Sequence, residues 1–377
     1  MMNLITLRNL TTAMIINSFE KDYFKSLGSS WDRIKNSKKP VYIYGMGDGC
    51  EKILSQFKRL DIKIDGIFAS DDFVRGQSFA GFKIERLSDI EKNCDDFIVV
   101  PAFGSSLPEI MDRLDNIAKR HILIMPDTPV AGDEYFSKDE FSKRFDDAKK
   151  VFDMLVDEQS KRVFINVLSF KITGDLTYLK QVFTSPDEAY ENILNIGKSE
   201  TYIDLGAFTG DTVMEFLSHT SGQYKKIYAL EPDKKNFRKC VKNLISLNNI
   251  ELFNSAVWSK DEIKYFTGNS GRQGKLDKKG KPIQCRSVDS IINGKECSYI
   301  KFDVEGVEAQ AILGSELTIK KCSPKICMAL YHRAYDLIDL PLMLHKINPK
   351  YNYFMRQYSY YPAWETNLFA TNQLEIK

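Results

Sequence analysis

The chain has 377 residues, of which 43% are hydrophobic and 28% are charged. At roughly 100–200 residues per domain, this length predicts two or three domains. The apolar fraction lets each domain bury a core, which excludes disorder as the main state. The 53 Lys and Arg residues nearly balance the 51 Asp and Glu residues, leaving a net charge of +2. Dedicated nucleic-acid binding usually needs a strongly basic surface and is therefore not expected.

No apolar run approaches the roughly 18–20 residues that a membrane helix needs, so stable membrane insertion is not expected. The N-terminus carries only a short apolar stretch, broken by Asn17, and makes a poor secretory signal. The seven cysteines are scattered, and no two of them form a C-x-x-C pair. This pattern predicts neither a disulfide framework nor a zinc knuckle, but buried, reduced thiols in a cytoplasmic protein.

A first strand–glycine loop–helix unit opens at residue 41. Residues 41–44 are Val-Tyr-Ile-Tyr, a run typical of a buried strand, and a turn with three glycines follows at 45, 47 and 49. Further predicted strands are at 64–68, 97–100 and 121–125. Strands that alternate with helices in this way form parallel sheets. We therefore expect a helical segment at 1–36 and a small Rossmann-like, nucleotide-binding-type domain at 37–130.

The pattern changes after this unit. Residues 131–198 contain long charged and apolar stretches that predict a helical connector without strands. A second α/β domain is expected at 199–377, with a Gly- and Lys-rich mobile loop at 267–282. Its predicted parallel strands, and the antiparallel pair that ends it, are 201–204, 227–230, 250–253, 299–302 and 326–331, then 351–355 and 367–371.

The turn after the first strand of this second domain differs from a dinucleotide-binding loop. It is Asp204-Leu-Gly206-Ala-Phe-Thr-Gly210, not G-x-G-x-x-G, and an acid ends the strand. A carboxylate at Asp204 would repel a pyrophosphate but suits a ligand with an ammonium or sulfonium cation. S-adenosylmethionine carries both. We expect Gly206 to let the backbone pass beneath that ligand, and we include Gly210 in the same site.

An acid also ends the next strand. Glu231 follows Gly206 by 25 positions, which places it at the neighbouring strand tip, where it can accept both ribose hydroxyls. At the third tip, the small residues Ser255 and Ala256 would leave room for an adenine ring. Together these spacings predict three binding elements for one ligand. The alternative is that the acids merely cap helices.

This half of the chain resembles the FkbM family of S-adenosylmethionine-dependent methyltransferases. The matching segments are YIDLGAFTGDTVMEF, IYALEPDKKNFRKC, FNSAVWSKDE, SVDSII, YIKFDVEGVEAQAILGSE and PKICMALYHRAYD. The resemblance implies a class I (Rossmann-like) methyltransferase fold that ends in a reversed hairpin. It also implies methylation of an oxygen, often on a sugar or glycan, with Asp204, Gly206 and Glu231 holding the cofactor.

The chemistry is expected where the fourth and fifth strands end. Asp303 and Glu305 follow the fourth strand and His332 follows the fifth. Methyl transfer needs an aligned nucleophile, and a hydroxyl gains from a nearby base. With an ordinary pKa near 6.5, His332 is the first choice for that base and Asp303 the second. Alternatively, Asp303, Glu305 and His332 could bind a divalent cation, although no metal ligand is assigned, or His332 could be structural.

The flanking segments leave further alternatives open. The aromatic-rich stretch 351–364 could form a substrate wall or simply pack in the sheet, and the Lys-rich loop 272–281 could close over an anionic substrate or stay solvated. Residues 41–126 resemble the nucleotide-sugar-binding domain at the front of some bacterial sugar acyltransferases. That resemblance implies a site at Gly45, Gly47 and Asp71, or one that has lost its ligand.

The predicted function is an S-adenosylmethionine-dependent O-methyltransferase. Its expected substrate is a sugar hydroxyl of a surface polysaccharide or related glycoconjugate, presented by a saccharide or sugar nucleotide. One alternative is an NAD-dependent sugar-nucleotide oxidoreductase, although the first turn has Cys50 where the third glycine would stand. Another is a non-catalytic partner of glycan-assembly enzymes. The sequence leaves the oligomeric state open.

Overall fold

A computed structural model describes residues 19–267, 275–276 and 281–372. Half of the predicted helical segment 1–36 and most of the predicted loop 267–282 therefore lie outside the described residues. No described helix combines the length and the apolar character needed to cross a membrane.

The first α/β unit is built on a six-stranded sheet with the order β3-β4-β2-β1-β5-β6. All of its pairs are parallel except β3 with β4. The predicted alternation is therefore confirmed, and the glycine turn follows β1. The elements in chain order are α1 Lys21–Ser26, α2 Ser30–Lys35, β1 Val41–Tyr44, α3 Asp48–Leu60, β2 Gly66–Ala69, a 3₁₀ turn Asp71–Phe73, β3 Ser78–Phe79, β4 Phe82–Arg86, α4 Leu87–Asn93, β5 Ile98–Pro101, α5 Pro108–Ala118 and β6 Ile122–Leu123.

The middle of the chain is mostly helical, as expected, but it is not free of strands. A two-residue strand, β7, pairs in parallel with β17 (Asn352–Tyr358) and so extends the second sheet. The expectation of a connector without strands is wrong here, because two residues are too short for a period-two pattern to show. The elements are α6 Lys138–Lys143, α7 Phe145–Met154, α8 Glu158–Thr173, α9 Thr177–Lys180, β7 Phe183–Thr184, α10 Pro186–Glu188 and a π-helical turn Ala189–Leu194.

Helix α8 lies at the centre of the molecule. Twelve of its 16 residues are buried, including Phe164, which belongs to a continuous core with Phe68 of the first sheet and Leu330 beside the second. It is tied to β17 by polar contacts as well. The buried Arg356 lies 2.7 Å from Asp157 at the helix N-cap and 2.7 Å from Glu188. The middle segment therefore fuses both sheets into one packed body.

The second sheet has eight strands in the order β10-β9-β8-β15-β16-β18-β17-β7. Its strands are parallel except for β18, which runs antiparallel to both β16 and β17. The predicted α/β class and the final reversed hairpin are thereby confirmed. The elements are β8 Thr201–Leu205, α11 Asp211–His219, β9 Lys226–Leu230, α12 Lys234–Leu244, β10 Ile250–Phe253, α13 Val288–Ile292, β15 Tyr299–Phe302, α14 Glu308–Leu313, α15 Glu316–Cys322, β16 Lys325–Ala329, α16 Asp336–Ile347, β17 Asn352–Tyr358 and β18 Thr366–Thr371.

A small third sheet was not predicted. It has the order β11-β14-β12-β13 and consists of β11 Ala256–Val257, β12 Glu262–Thr267, β13 Lys275–Leu276 and β14 Lys281–Arg286. The loop predicted at 267–282 is therefore wrong at both ends and at 275–276. The segment is rich in Gly and Lys, which are typical of loops, so the short antiparallel pairing of β12 with β13 and β14 was not predicted. Most of the Lys-rich segment 272–281 lies outside the described residues.

Candidate functional site

Asp204 lies at the carboxyl end of the central strand β8 and is fully buried. It accepts a hydrogen bond from the Thr212 hydroxyl and stands in register with Lys301 of β15. Burial raises the pKa of Asp204 to about 6, although the charge of Lys301 opposes that shift. The strand tip therefore holds an acid whose ionisation costs free energy and which a nearby cation would stabilise.

The backbone conformation and the close packing of the turn explain why glycine stands at positions 206 and 210. Both have positive φ, +92° at Gly206 and +88° at Gly210. A Cβ at Gly206 would overlap the carbonyl oxygen of Asp303, and one at Gly210 would lie 2.9 Å from Leu244. We expected Gly206 to make room for a ligand. The structure shows that it also makes room for the neighbouring strand end, and its contact with a ligand stays a prediction.

Glu231 joins the tips of β8 and β9. Its carboxylate accepts backbone hydrogen bonds from Phe208 at 2.9 Å and from Asp233 at 2.7 Å. Burial raises the pKa of Glu231 to about 7 despite these two donors. Each carboxylate oxygen keeps a second lone pair for a ligand. Phe208 has a φ of +45° and an exposed ring, so the turn presents an aromatic face next to this acid.

Hydrogen bonds join the end of β10 to the end of β9. The Asn254 amide donates to the backbone oxygens of Glu231 and Pro232 at 2.9 and 3.2 Å. The following Ser255 is buried, and its hydroxyl has no hydrogen-bond partner among the described residues. Ala256 begins β11 and is also buried. One edge of the sheet thus brings together four of the predicted residues, Asp204, Gly206, Glu231 and Ser255. The buried hydroxyl of Ser255 has no hydrogen-bond partner among the described residues.

A second polar cluster follows β15 and β16. Asp303 is partly exposed, and its carboxylate lies 3.0 Å from the Lys301 ammonium and 3.5 Å from the Tyr331 hydroxyl. Although burial opposes the charge of Lys301, Asp303 and then Asp204 raise the pKa of this lysine well above its usual value. Lys301 therefore stays cationic between the two acids, and it couples the two clusters electrostatically.

His332 is buried among three carboxylates. Its Nδ1 lies 2.8 Å from Glu308, and its Nε2 lies 3.6 Å from Asp303 and 3.5 Å from Glu305. Burial alone would lower the pKa of His332, but Glu308 above all, with Asp303 and Glu305, raises it to about 9. The prediction of an ordinary pKa near 6.5 is therefore wrong. At neutral pH this ring is a cation that cannot accept a proton.

The alternative of a divalent cation at Asp303, Glu305 and His332 finds no support. The three side chains do meet, but no group of His, Cys, Asp or Glu in the part of the chain that the structure describes has the arrangement of a metal site. Glu305 instead has a φ of +54° beside Gly306, and its carboxylate faces the His332 cation.

Two residues of this edge escaped the sequence analysis. Lys301 carried a signal, because a lysine inside the apolar run Tyr299–Phe302 needs a partner. Glu365 carried none, because the hairpin brings it to the edge from the far end of the chain. Burial, and then the charge of Asp303, raise the pKa of Glu365 to about 7. Its φ is +146°, a strained value for a residue with a Cβ.

The segment where the first α/β unit meets the connector reaches the same edge. The Ala131 backbone N–H donates to the carbonyl of His332 at 2.8 Å, and a Cβ on Gly306 would overlap Ala131. In the first glycine turn, a Cβ on Gly45 would lie 2.7 Å from the Phe103 ring, whereas one on Gly47 would meet open space. Gly45 thus has a packing role, and a nucleotide-sugar site at Gly45, Gly47 and Asp71 stays a prediction.

Comparison with known proteins bears on the second sheet above all. Residues 204–359 match the family model described as Methyltransferase FkbM domain. The predicted FkbM resemblance of this half is thereby confirmed. The sequence matches no curated protein.

One solved structure resembles nearly the whole chain. The crystal structure of the methyltransferase FkbM from Methylobacillus flagellatus superimposes with a TM-score of 0.69 at 17% identity, covering 96% of this chain and 98% of that one. The shared fold therefore includes the first unit and the connector. A putative methyltransferase from Streptococcus mutans, solved with SAH, has a TM-score of 0.32 at 12% identity, over 50% of this chain and 99% of that one.

Proposed function

We propose that this protein is an S-adenosylmethionine-dependent methyltransferase. One observation carries the proposal. The domain that matches the methyltransferase family gathers two buried acids, Asp204 and Glu231, at adjacent strand tips, where no glycine-rich pyrophosphate loop exists. An NAD-dependent oxidoreductase would need a pyrophosphate site there or in the first unit.

The residues at these tips fit the cofactor. Asp204, whose ionisation burial disfavours, would gain from the cofactor's positive charge. Glu231 has lone pairs left for ribose hydroxyls, and the unpartnered Ser255 hydroxyl could bond to the base. When bound, the cofactor supplies a methyl group activated by a cationic sulfur. The protein positions it with buried acids, and buried acids without a partner would be costly.

The second cluster would receive the acceptor. Because His332 is protonated, we assign the proton-accepting role to Asp303, which is partly exposed and lies beside the Lys301 ammonium. His332 acts as a positioning residue, since its cation holds the carboxylates of Asp303 and Glu305 at one edge. The acceptor hydroxyl would give its proton to Asp303 as its oxygen takes the methyl group.

A sugar hydroxyl of a surface polysaccharide or related glycoconjugate is the substrate that we propose. The FkbM resemblance supports it, and so does the aromatic hairpin between β17 and β18, which adjoins the Asp303 cluster. Seven unpaired cysteines, five of them buried, support a cytoplasmic site of action. The non-catalytic alternative is less consistent with a cluster in which every charge still has an opposite neighbour.

Cofactor binding is the first expected result. Glu231→Gln should weaken the binding of S-adenosylhomocysteine by about 1–3 kcal/mol, because the neutral amide accepts fewer ribose hydrogen bonds. Isothermal titration measures this change. Glu251→Gln is the matched control, since Glu251 lies on neighbouring β10 and its ion-pair partner among the described residues is Lys226. Failure of the wild-type protein to bind this ligand would overturn the proposal.

Binding should also depend on pH. Glu231 has a pKa of about 7 in the folded protein, and ribose hydroxyls donate best to its ionised form. Affinity for S-adenosylhomocysteine should therefore rise as the pH increases through about 7 and then level off. Asp204, with a pKa of about 6, should add a further loss below that value. Titrations of Glu231→Gln should lack the step near 7, and the same step in that variant would contradict this assignment.

A further inference from the structure

Helix α12 of the second α/β domain has a strongly basic exposed face. Residues 234–249 contain five cationic side chains and no acidic one. This segment therefore carries a charge of +5, whereas the net charge of the whole chain is +2. The five side chains are exposed and none of them forms an ion pair with a residue that the structure describes: Lys234, Lys235, Arg238, Lys239 and Lys242.

An exposed isoleucine lies at the end of this basic face. Lys235, Arg238 and Lys242 follow one another at spacings of three and four residues, so they form one row along the helix. Ile245 comes three residues after Lys242 and continues the row, because its φ of −61° and ψ of −24° are helical. Its side chain is 77% exposed, more than any other large hydrophobic side chain among the described residues. The same face thus presents both cations and an apolar group to its surroundings.

The opposite side of α12 is held firmly in the fold. Cys240 and Leu244 are buried in the core of the second sheet, and the Asn243 amide donates to the backbone oxygen of Thr209 at 2.8 Å. Asp233, the acid that precedes the helix, caps its N-terminus by accepting hydrogen bonds from two backbone N–H groups of the first turn. The basic face is therefore a preformed surface, and it adjoins the turn of the proposed cofactor site.

The composition of this face favours a lipid surface over a nucleic acid. Four of the five cations are lysines, which lack the planar fork by which arginine binds phosphate through two parallel hydrogen bonds. Their apolar stems can lie against acyl chains while the ammonium groups reach the headgroups. An exposed isoleucine gains nothing from a phosphate backbone, but it gains free energy at the boundary between headgroups and acyl chains. The partner that fits both features is a membrane surface with anionic lipids.

We propose that α12 binds the protein reversibly to an anionic membrane surface. The helix lies in the plane of the membrane, with its five cations at the level of the lipid phosphates and Ile245 between the headgroups. The inference goes beyond the proposed function and does not depend on it, because the contact uses no residue of the cofactor or acceptor clusters. It places the edge of the second sheet next to a lipid surface, so that an acceptor carried by a lipid would be within reach.

The test measures co-sedimentation of the full chain with vesicles of about 30% phosphatidylglycerol in phosphatidylcholine. Wild type should bind these vesicles but not pure phosphatidylcholine, and binding should fall as NaCl rises from about 0.1 to 0.5 M. A triple variant with Arg238→Gln, Lys239→Gln and Lys242→Gln should lower the partition coefficient about 100-fold, because each cation contributes roughly 5-fold. Ile245→Ser should lower it about 3–10-fold through the lost apolar contact.

The matched control has the same change in net charge on the first α/β unit, where Lys35, Lys38 and Lys58 are exposed and are replaced by Gln. This control should bind the vesicles nearly as well as wild type, and an equal loss in both triple variants would overturn the assignment to α12. The membrane proposal would also fail if wild type bound no anionic vesicles, or if it bound a DNA duplex of about 20 base pairs more tightly than the vesicles. Ile245→Ser decides the matter if the α12 triple variant does not fold.

Discussion

Replacing Asp303 by Asn should lower kcat for methyl transfer by about 10²–10⁴-fold, the usual contribution of a positioned general base. The amide cannot take the acceptor's proton, and it gives up the ion pair with Lys301. Affinity for S-adenosylhomocysteine should stay near the wild-type value, because Asp303 lies at the acceptor side of the turn. Transfer of a labelled methyl group from S-adenosylmethionine to cell-envelope extracts of the source organism measures the rate.

Asp153→Asn provides the control for this experiment, because Asp153 is exposed on α7 and, in the part of the chain that the structure describes, forms its ion pair with Lys149. A kcat for Asp303→Asn within a few-fold of wild type would remove Asp303 from the proton-accepting role and leave Glu305 and Glu365 as the other candidate acids at that edge. A parallel loss of S-adenosylhomocysteine binding would assign Asp303 to the cofactor site, through Lys301 and Asp204.

Replacing His332 by Gln should reduce the free energy of unfolding by about 3–5 kcal/mol, because it leaves Glu308 buried without its counter-ion. The pKa of His332 is about 9 in the folded protein, against an ordinary value near 6.5. The stability that comes from this shift is fully present below about pH 6.5 and is lost as the pH rises through about 9. Urea unfolding of wild type and variant across this range measures both effects.

The difference between the two proteins removes the contribution of Glu231, which also has a pKa raised to about 7 and is present in both. It retains the effect of the His332 charge on Glu365 and Asp336, because that charge lowers the raised pKa values of both acids. Glu308→Gln is the companion variant, and the double variant should lose less stability than the sum of the two single changes. A difference between wild type and His332→Gln that does not vary between pH 6.5 and 9 would show that this ring is neutral.

The proximity of the proposed cofactor residues could be predicted from sequence because it depends on local order. A strand that ends in Asp204, a turn with glycines and an acid at the next tip are all spaced by one β-α-β unit, and the sheet then brings them together. The acceptor side depends on distant segments. The pKa of His332 is set by Glu308, which reaches it only because the backbone at Val304 and Gly306 donates to that carboxylate. The contact between Glu308 and His332 leaves no periodic hydrophobic pattern in the sequence, so it could not be predicted.

Other features were hidden for similar physical reasons. The close approach of Gly206 to Asp303 was not predicted, because the two residues lie about a hundred positions apart in the chain. Glu365 enters the site through the pairing of β18 with β16. These contacts join segments that are far apart in the chain, and local sequence patterns do not predict them.

The small strand β7 has a consequence for how the chain can be divided. It closes the outer edge of β17, while Asp157 and Glu188 from the same segment neutralise the buried Arg356. A fragment that started at residue 199 would lack β7, so the outer edge of β17 would be exposed. It would also lack Asp157 and Glu188, so the buried guanidinium of Arg356 would lose both counter-ions. The part of the chain that matches the methyltransferase family is therefore not an independent folding unit. A shorter version for expression should begin upstream of Asp157.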